Sequence, residues 1–278
     1  ILYTIIYVKF FNRVSFTRKK KSIRRKNMTQ NNMPPAGTTP AQRPVLERFK
    51  KLSNAQLKYI AFISMFIDHF NKSMIYPNLD GGKLLYLSNF FDILGRIAFP
   101  LFAFMLVEGF YRTHSRWHYL GNLLLFGVIS EVPFDLFTTK ELVNWRWNNV
   151  MFTLAFMLVT IWIVDVIREK IGDEKKWLWF LISIPVVAIM CLLAMFCSLD
   201  YDYNGILMAY FFYLFRNHPF PRILFGYLSV VKEPWALLGL GLTLTYNGER
   251  GKQSKLLNYL FYPVHLLILG LLRFYFNI

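Results

Sequence analysis

Residues 177–197 run WLWFLISIPVVAIMCLLAMFC, an unbroken stretch without a charged side chain. A segment of this length and polarity satisfies its peptide groups inside lipid only as a spanning helix. Similar blocks recur along the chain. The spacing predicts spans over 57–75, 90–110, 117–137, 150–167, 177–197, 203–215 and 256–276. Two shorter apolar pieces, 220–231 and 235–246, reach only about 18 Å each as helices. That is less than the hydrocarbon thickness, so they read either as short crossings or as one re-entrant hairpin. The expected fold class is an all-α polytopic membrane protein of about nine segments. Charged residues make up 17% of the chain, against about a quarter in soluble domains.

The net charge of +16 invites a nucleic-acid reading, which its distribution excludes. Of 32 Lys and Arg, 14 precede Ala61. With the amino terminus in the cytoplasm, the loops on that side carry 11 more: Arg112, Arg116, Arg168, Lys170, Lys175, Lys176, Arg216, Arg222, Arg250, Lys252 and Lys255. The opposite loops carry 5: Lys72, Lys83, Lys140, Arg146 and Lys232. This asymmetry is topological, and it predicts a multi-pass plasma-membrane protein whose partner is the bilayer.

Residues 1–56 form the expected basic, largely disordered cytoplasmic leader, and 57–278 the membrane domain. Within the leader, 1–27 reads either as an upstream extension before Met28 or as a basic interfacial anchor. Residues 28–45 are rich in Pro, Thr, Asn and Gln. Ser53 or Asn54 is suited to cap the first helix. Cys191 and Cys197 lie on different helical faces, and two thiols alone make a poor metal site.

Ionisable groups inside apolar segments are costly and mark functional positions. Asp68 and His69 end LKYIAFISMFIDHF. Asp92 and Arg96 are four apart and share a helical face, as do Glu131 and Asp135, with Pro133 between them as a kink. His265 lies near mid-depth in YPVHLL. Together Asp68, His69, Asp92, Arg96, Glu131, Asp135 and His265 are expected to surround one hydrated, outward-facing pocket. Their structural alternatives are a helix end, an ion pair, backbone satisfaction and interhelical bonding, respectively. Glu108, at a helix end, reads as interfacial.

LKYIAFISMFIDHF, GRIAFPLFAFMLVEGF, ISEVPFDLF, NNVMFTL, DYDYNGIL and YPVHLLIL occur in that order over residues 57–269. They resemble the TraX family. The resemblance implies an acyltransferase-like helical bundle that moves an acetyl group from cytoplasmic acetyl-CoA to an amine or hydroxyl at the outer face. A pilin-like or fimbrial protein or a surface glycan would be the acceptor. On that reading His69 deprotonates the acceptor, Asp92 orients His69, Arg96 holds the oxyanion, and Arg112 and Arg116 hold the donor phosphates. Direct transfer and an acetyl-histidine intermediate both remain open. So do a transporter and a non-catalytic fimbrial assembly factor.

Overall fold

A computed structural model describes residues 49–79, 81–144 and 146–277; of the leader expected over 1–56, residues 1–48 lie outside them. The described residues are helical, with two isolated bridges and no strand. The helices are α1 (Asn54–Phe70), α2 (Lys83–Gly95), α3 (Ala98–Arg112), α4 (Arg116–Thr139) and α5 (Val150–Ile171). They continue with α6 (Lys176–Phe196), α7 (Asp202–Leu214), α8 (Pro219–Ser229), α9 (Ala236–Leu242) and α10 (Lys255–Tyr275). Five stretches are long and apolar enough to cross a membrane: Lys83–Arg112, Arg116–Thr139, Val150–Ile171, Lys176–Phe196 and Leu257–Tyr275. The chain is a multi-pass membrane protein.

The first helix begins before Leu57. Ser53 closes a capping box with Gln56, each side chain accepting from the other residue's backbone N–H. Leu52 bridges to Tyr246, and the Asn54 N–H donates to the Glu249 carbonyl. Residues 52–55, assigned to the leader from composition, are thus bonded into the bundle.

The second expected span is two helices, α2 and α3, joined at Arg96 and Ile97. The turn is held from outside. Arg96 pairs with Asp92 at 2.7 Å and with Glu233 at 2.9 Å. Gly239 of α9 lies so close that a Cβ there would stand 2.5 Å from the Ile97 carbonyl oxygen. Only glycine lets α9 press against that turn.

Helix α3 is the most enclosed element, with Leu101, Ala103, Phe104, Leu106, Val107 and Phe110 all buried. Helix α7 packs on α5, α6, α3 and α8 and buries Ile206, Met208, Ala209 and Phe212. At 13 residues it rises about 20 Å, less than a full crossing. Helix α6 instead exposes Phe180, Leu181, Ile184, Ile189 and Leu192 as a lipid-facing stripe.

Helices α8 and α9 form a hairpin that starts and ends at one end of the bundle. Its turn over 230–235 meets Arg96 through Glu233, and the strand-like exit at Tyr246 returns to Leu52. With 11 and 7 residues, these helices rise about 17 Å and about 11 Å, each less than the hydrocarbon thickness.

The loops rich in Lys and Arg converge at that same end. Glu108, expected at the interface, is buried and accepts two bonds from Arg216, at 2.8 and 3.1 Å, with Arg112 at 3.5 Å. Asp165 accepts from Arg116 and, at 2.8 Å, from the Tyr213 hydroxyl.

Candidate functional site

At the opposite end, several segments line a cavity of about 530 Å³. The end of α1 supplies Asp68, His69 and Lys72; the α2–α3 turn supplies Arg96; α4 supplies Phe134, Phe137 and Thr138. The α6–α7 turn adds Asp200, Tyr201 and Asp202, the hairpin tip adds Lys232 and Glu233, and α10 adds Tyr262. The lining combines aromatic and ionic side chains.

Helix α1 runs into a π-helical turn, Asn71–Ile75, that starts two residues after His69. Such turns widen the backbone and recur at functional sites. Adjacent residues on α1 point about 100° apart. Asp68 accordingly faces α2, while His69 faces α10.

His69 and His265 form the centre of the site. Nδ1 of His69 lies 2.8 Å from Nε2 of His265. The two rings are parallel to within 4° with centroids 5.0 Å apart. With the nitrogens that close, the rings must lie end to end, sharing an in-plane hydrogen bond. Nδ1 of His265 is 2.6 Å from the Phe261 carbonyl oxygen. A carbonyl only accepts, so this nitrogen carries the proton. Nε2 of neutral His265 is then an acceptor, and His69 donates to it from Nδ1. That leaves the lone pair on Nε2 of His69. Among the described residues this atom bonds to no protein group, and His69 lines the cavity. The carbonyl thus sets the tautomer of both rings and presents a base to the cavity.

Asp68 is buried. One carboxylate oxygen accepts from Lys72 at 2.7 Å, and the other has no partner among the described residues. It sits against Gly95, where a Cβ would lie 2.5 Å from the Asp68 Cβ. Ser64 donates to the carbonyls of Leu94 and Gly95 at 2.6 and 3.2 Å, holding α1 on this point of α2. Gly95→Ala is expected to force the helices apart and cost about 1–3 kcal/mol, read as a lower melting temperature in detergent. An unchanged melting temperature would refute the close approach.

Asp200 lies in the α6–α7 turn. Its surface opens to the cavity, yet protein surrounds it. The loss of bulk hydration pushes its carboxyl up to about 6. Lys72 pulls it down and Asp68 pushes it further up.

Several positions expected in this pocket lie elsewhere. Asp92 is not beside His69; it pairs with Arg96 and lines a separate hollow with Asn71, Tyr76 and Ser88. The orienting partner of His69 is His265. Glu131 is bonded to Asn149, which also donates to the Gly127 carbonyl at 2.8 Å and caps α5. Asp135 is buried and accepts the Asn144 N–H at 2.8 Å, anchoring the loop that carries Trp147 to the cavity. Glu131 and Asp135 do not line the cavity, whereas Phe134, Phe137 and Thr138 of the same helix do. Helix α4 runs unbroken through Pro133. Arg112 and Arg116 are held by Glu108 and Asp165 and line no described cavity with one another.

Lys72, Asp200, Tyr201, Asp202, Lys232 and Glu233 were not among the expected site residues. Lys72 and Lys232 register in the sequence only as external charges. Asp200–Asp202 lie in DYDYNGIL, and that turn residues between two apolar blocks share a motif was the available signal.

The fold and site define a polytopic helical membrane protein with a tautomer-fixed histidine pair in a polar cavity at one end. The family model described as TraX protein matches residues 53–273, and the chain belongs to the TraX family. It is also 28% identical over 248 residues to a protein of Dichelobacter nodosus described as "Probable fimbrial assembly protein FimC, serogroup H1". That match covers 77% of this chain and 93% of the relative. No solved structure matches.

Proposed function

We propose that this protein is an integral-membrane acetyltransferase that uses acetyl-CoA to acetylate an amine or hydroxyl at the outer face of the plasma membrane. The observation that carries the reading is the chain from Phe261 through His265 to His69, whose side chain lines the cavity with Nε2 unbonded among the described residues. A base of this kind has one evident use, removal of a proton from a nucleophile.

As the acceptor nitrogen or oxygen bonds to the thioester carbonyl carbon, its proton passes to Nε2 of His69. The carbonyl oxygen takes up negative charge. Arg96 lines the cavity with its Nη1 uncommitted among the described residues and is the group assigned to hold that charge. The carbon–sulfur bond then breaks, and the departing thiolate takes the proton back from His69. The products are the acetylated acceptor and free coenzyme A.

Orientation follows from charge. The end opposite the cavity gathers the loops rich in Lys and Arg, which supports a cytoplasmic placement for it and an external one for the cavity. On this orientation the α8–α9 hairpin is re-entrant from the cytoplasmic side. The name of the Dichelobacter relative supports a fimbrial subunit as acceptor, with a surface glycan as the other candidate.

The test uses the full chain in nanodiscs with acetyl-CoA labelled in the acetyl group. Label on an added fimbrial subunit or surface glycan, together with a rise in melting temperature on adding acetyl-CoA, supports the reading. Neither label nor thermal shift would overturn it and leave an assembly role without chemistry.

A further inference from the structure

A second concave site lies at the other end of the molecule. Along α5, Val150 borders the histidine cavity and Gly172 borders this second hollow. At 1.5 Å per residue the two are about 33 Å apart. The hollow has a volume of about 440 Å³. Its basic lining comes from three places: Arg168 on α5, Lys176 at the start of α6, and Arg216 and His218 in the α7–α8 turn. No carboxylate is among the lining residues described.

We propose that this hollow binds a phosphate ester or diphosphate. Basic residues in a membrane protein's loops need no pocket to set topology; they serve that purpose spread in water or among headgroups. Here Arg168, Lys176, Arg216 and His218 converge on one concavity instead, where their N–H donors suit phosphate oxygens.

The arginines are already positioned. Arg216 is fixed from behind by its two bonds to Glu108 and lies over the Tyr111 ring at 4.1 Å. Arg168 lies over the Trp179 ring at 5.5 Å. Lys176 and His218 are exposed, and their side chains have no partner among the described residues. The volume exceeds what a bare phosphate needs and falls in the range of small-molecule sites. The aromatic walls of Tyr111, Trp179 and Tyr213 suit an organic remainder of the ligand. A soluble nucleotide and an anionic phospholipid headgroup share this chemistry. The assignment does not depend on what the histidine cavity does.

The experiment compares the full-length protein with the K176Q/H218Q double variant. Both side chains are exposed and have no partner among the described residues, so the variant is expected to melt like the parent. One arm titrates ADP into protein in phosphatidylcholine nanodiscs. The other measures retention of phosphatidylglycerol against phosphatidylcholine by native mass spectrometry. ADP binding that weakens about tenfold or more in the variant supports the site and names a soluble ligand. Selective retention of phosphatidylglycerol that is lost in the variant supports the site and names a lipid. Binding of neither probe, or binding that the double substitution leaves unchanged, overturns the proposal.

Discussion

His69→Ala is expected to lower acetyl transfer about a thousandfold while the protein still inserts and melts normally. The side chain lines the cavity, and its removal opens space there rather than in the packed interior. Its partner separates chemistry from packing. His265 accepts from His69 Nδ1 and does not line the described cavity, so it is a positioning residue. Leu at 265 removes the acceptor and frees the His69 tautomer. Gln at 265 offers a side-chain oxygen in its place. His265→Gln is therefore expected to retain more activity than His265→Leu, with a pH profile closer to that of the parent. A purely structural role would rank the two by melting temperature alone. Undiminished transfer by His69→Ala would remove the base from the mechanism.

Glu108→Ala is expected to be the most destabilising single change, by about 3 kcal/mol. The carboxylate is buried and answers Arg216 with two bonds and Arg112 with a longer contact. Its removal leaves Arg216 and Arg112 without their carboxylate. Arg222 compounds the effect. It is itself buried, its guanidinium donates to the Arg216 carbonyl and the Thr243 hydroxyl, and it lies over the Phe104 ring at 4.8 Å. The loss should appear as a lower midpoint in detergent unfolding. Glu108→Ala combined with Arg216→Met should recover part of it, because the stranded charge goes as well. A single variant with an unshifted midpoint would show that the pair contributes nothing to the fold.

The residues that sequence reasoning gathered into one pocket divide into two sets. Asp68, His69, Arg96 and His265 do meet. Glu131 and Asp135 share their depth but not their direction, because they occupy the face of α4 that turns toward Asn149 and Asn144. Depth follows from counting residues along a helix. Direction depends on the rotation of each helix about its axis, which neighbours set. Asp92 illustrates the same limit. Four residues from Arg96, it was certain to be able to pair with it, and that pairing takes it away from His69.

Apolar block length and the distribution of Lys and Arg, both readable in the chain, determined that this is a multi-pass helical membrane protein. They did so because lipid tolerates few backbone arrangements and loops carry the charge that orients them. Tertiary structure alone decided that His69 answers to His265, 196 residues away, and that a hairpin tip closes the cavity through Glu233. Those contacts depend on helix rotation, on the break at Arg96 and on approaches as close as the one at Gly95. Each is a property of packed surfaces, which no single helix encodes.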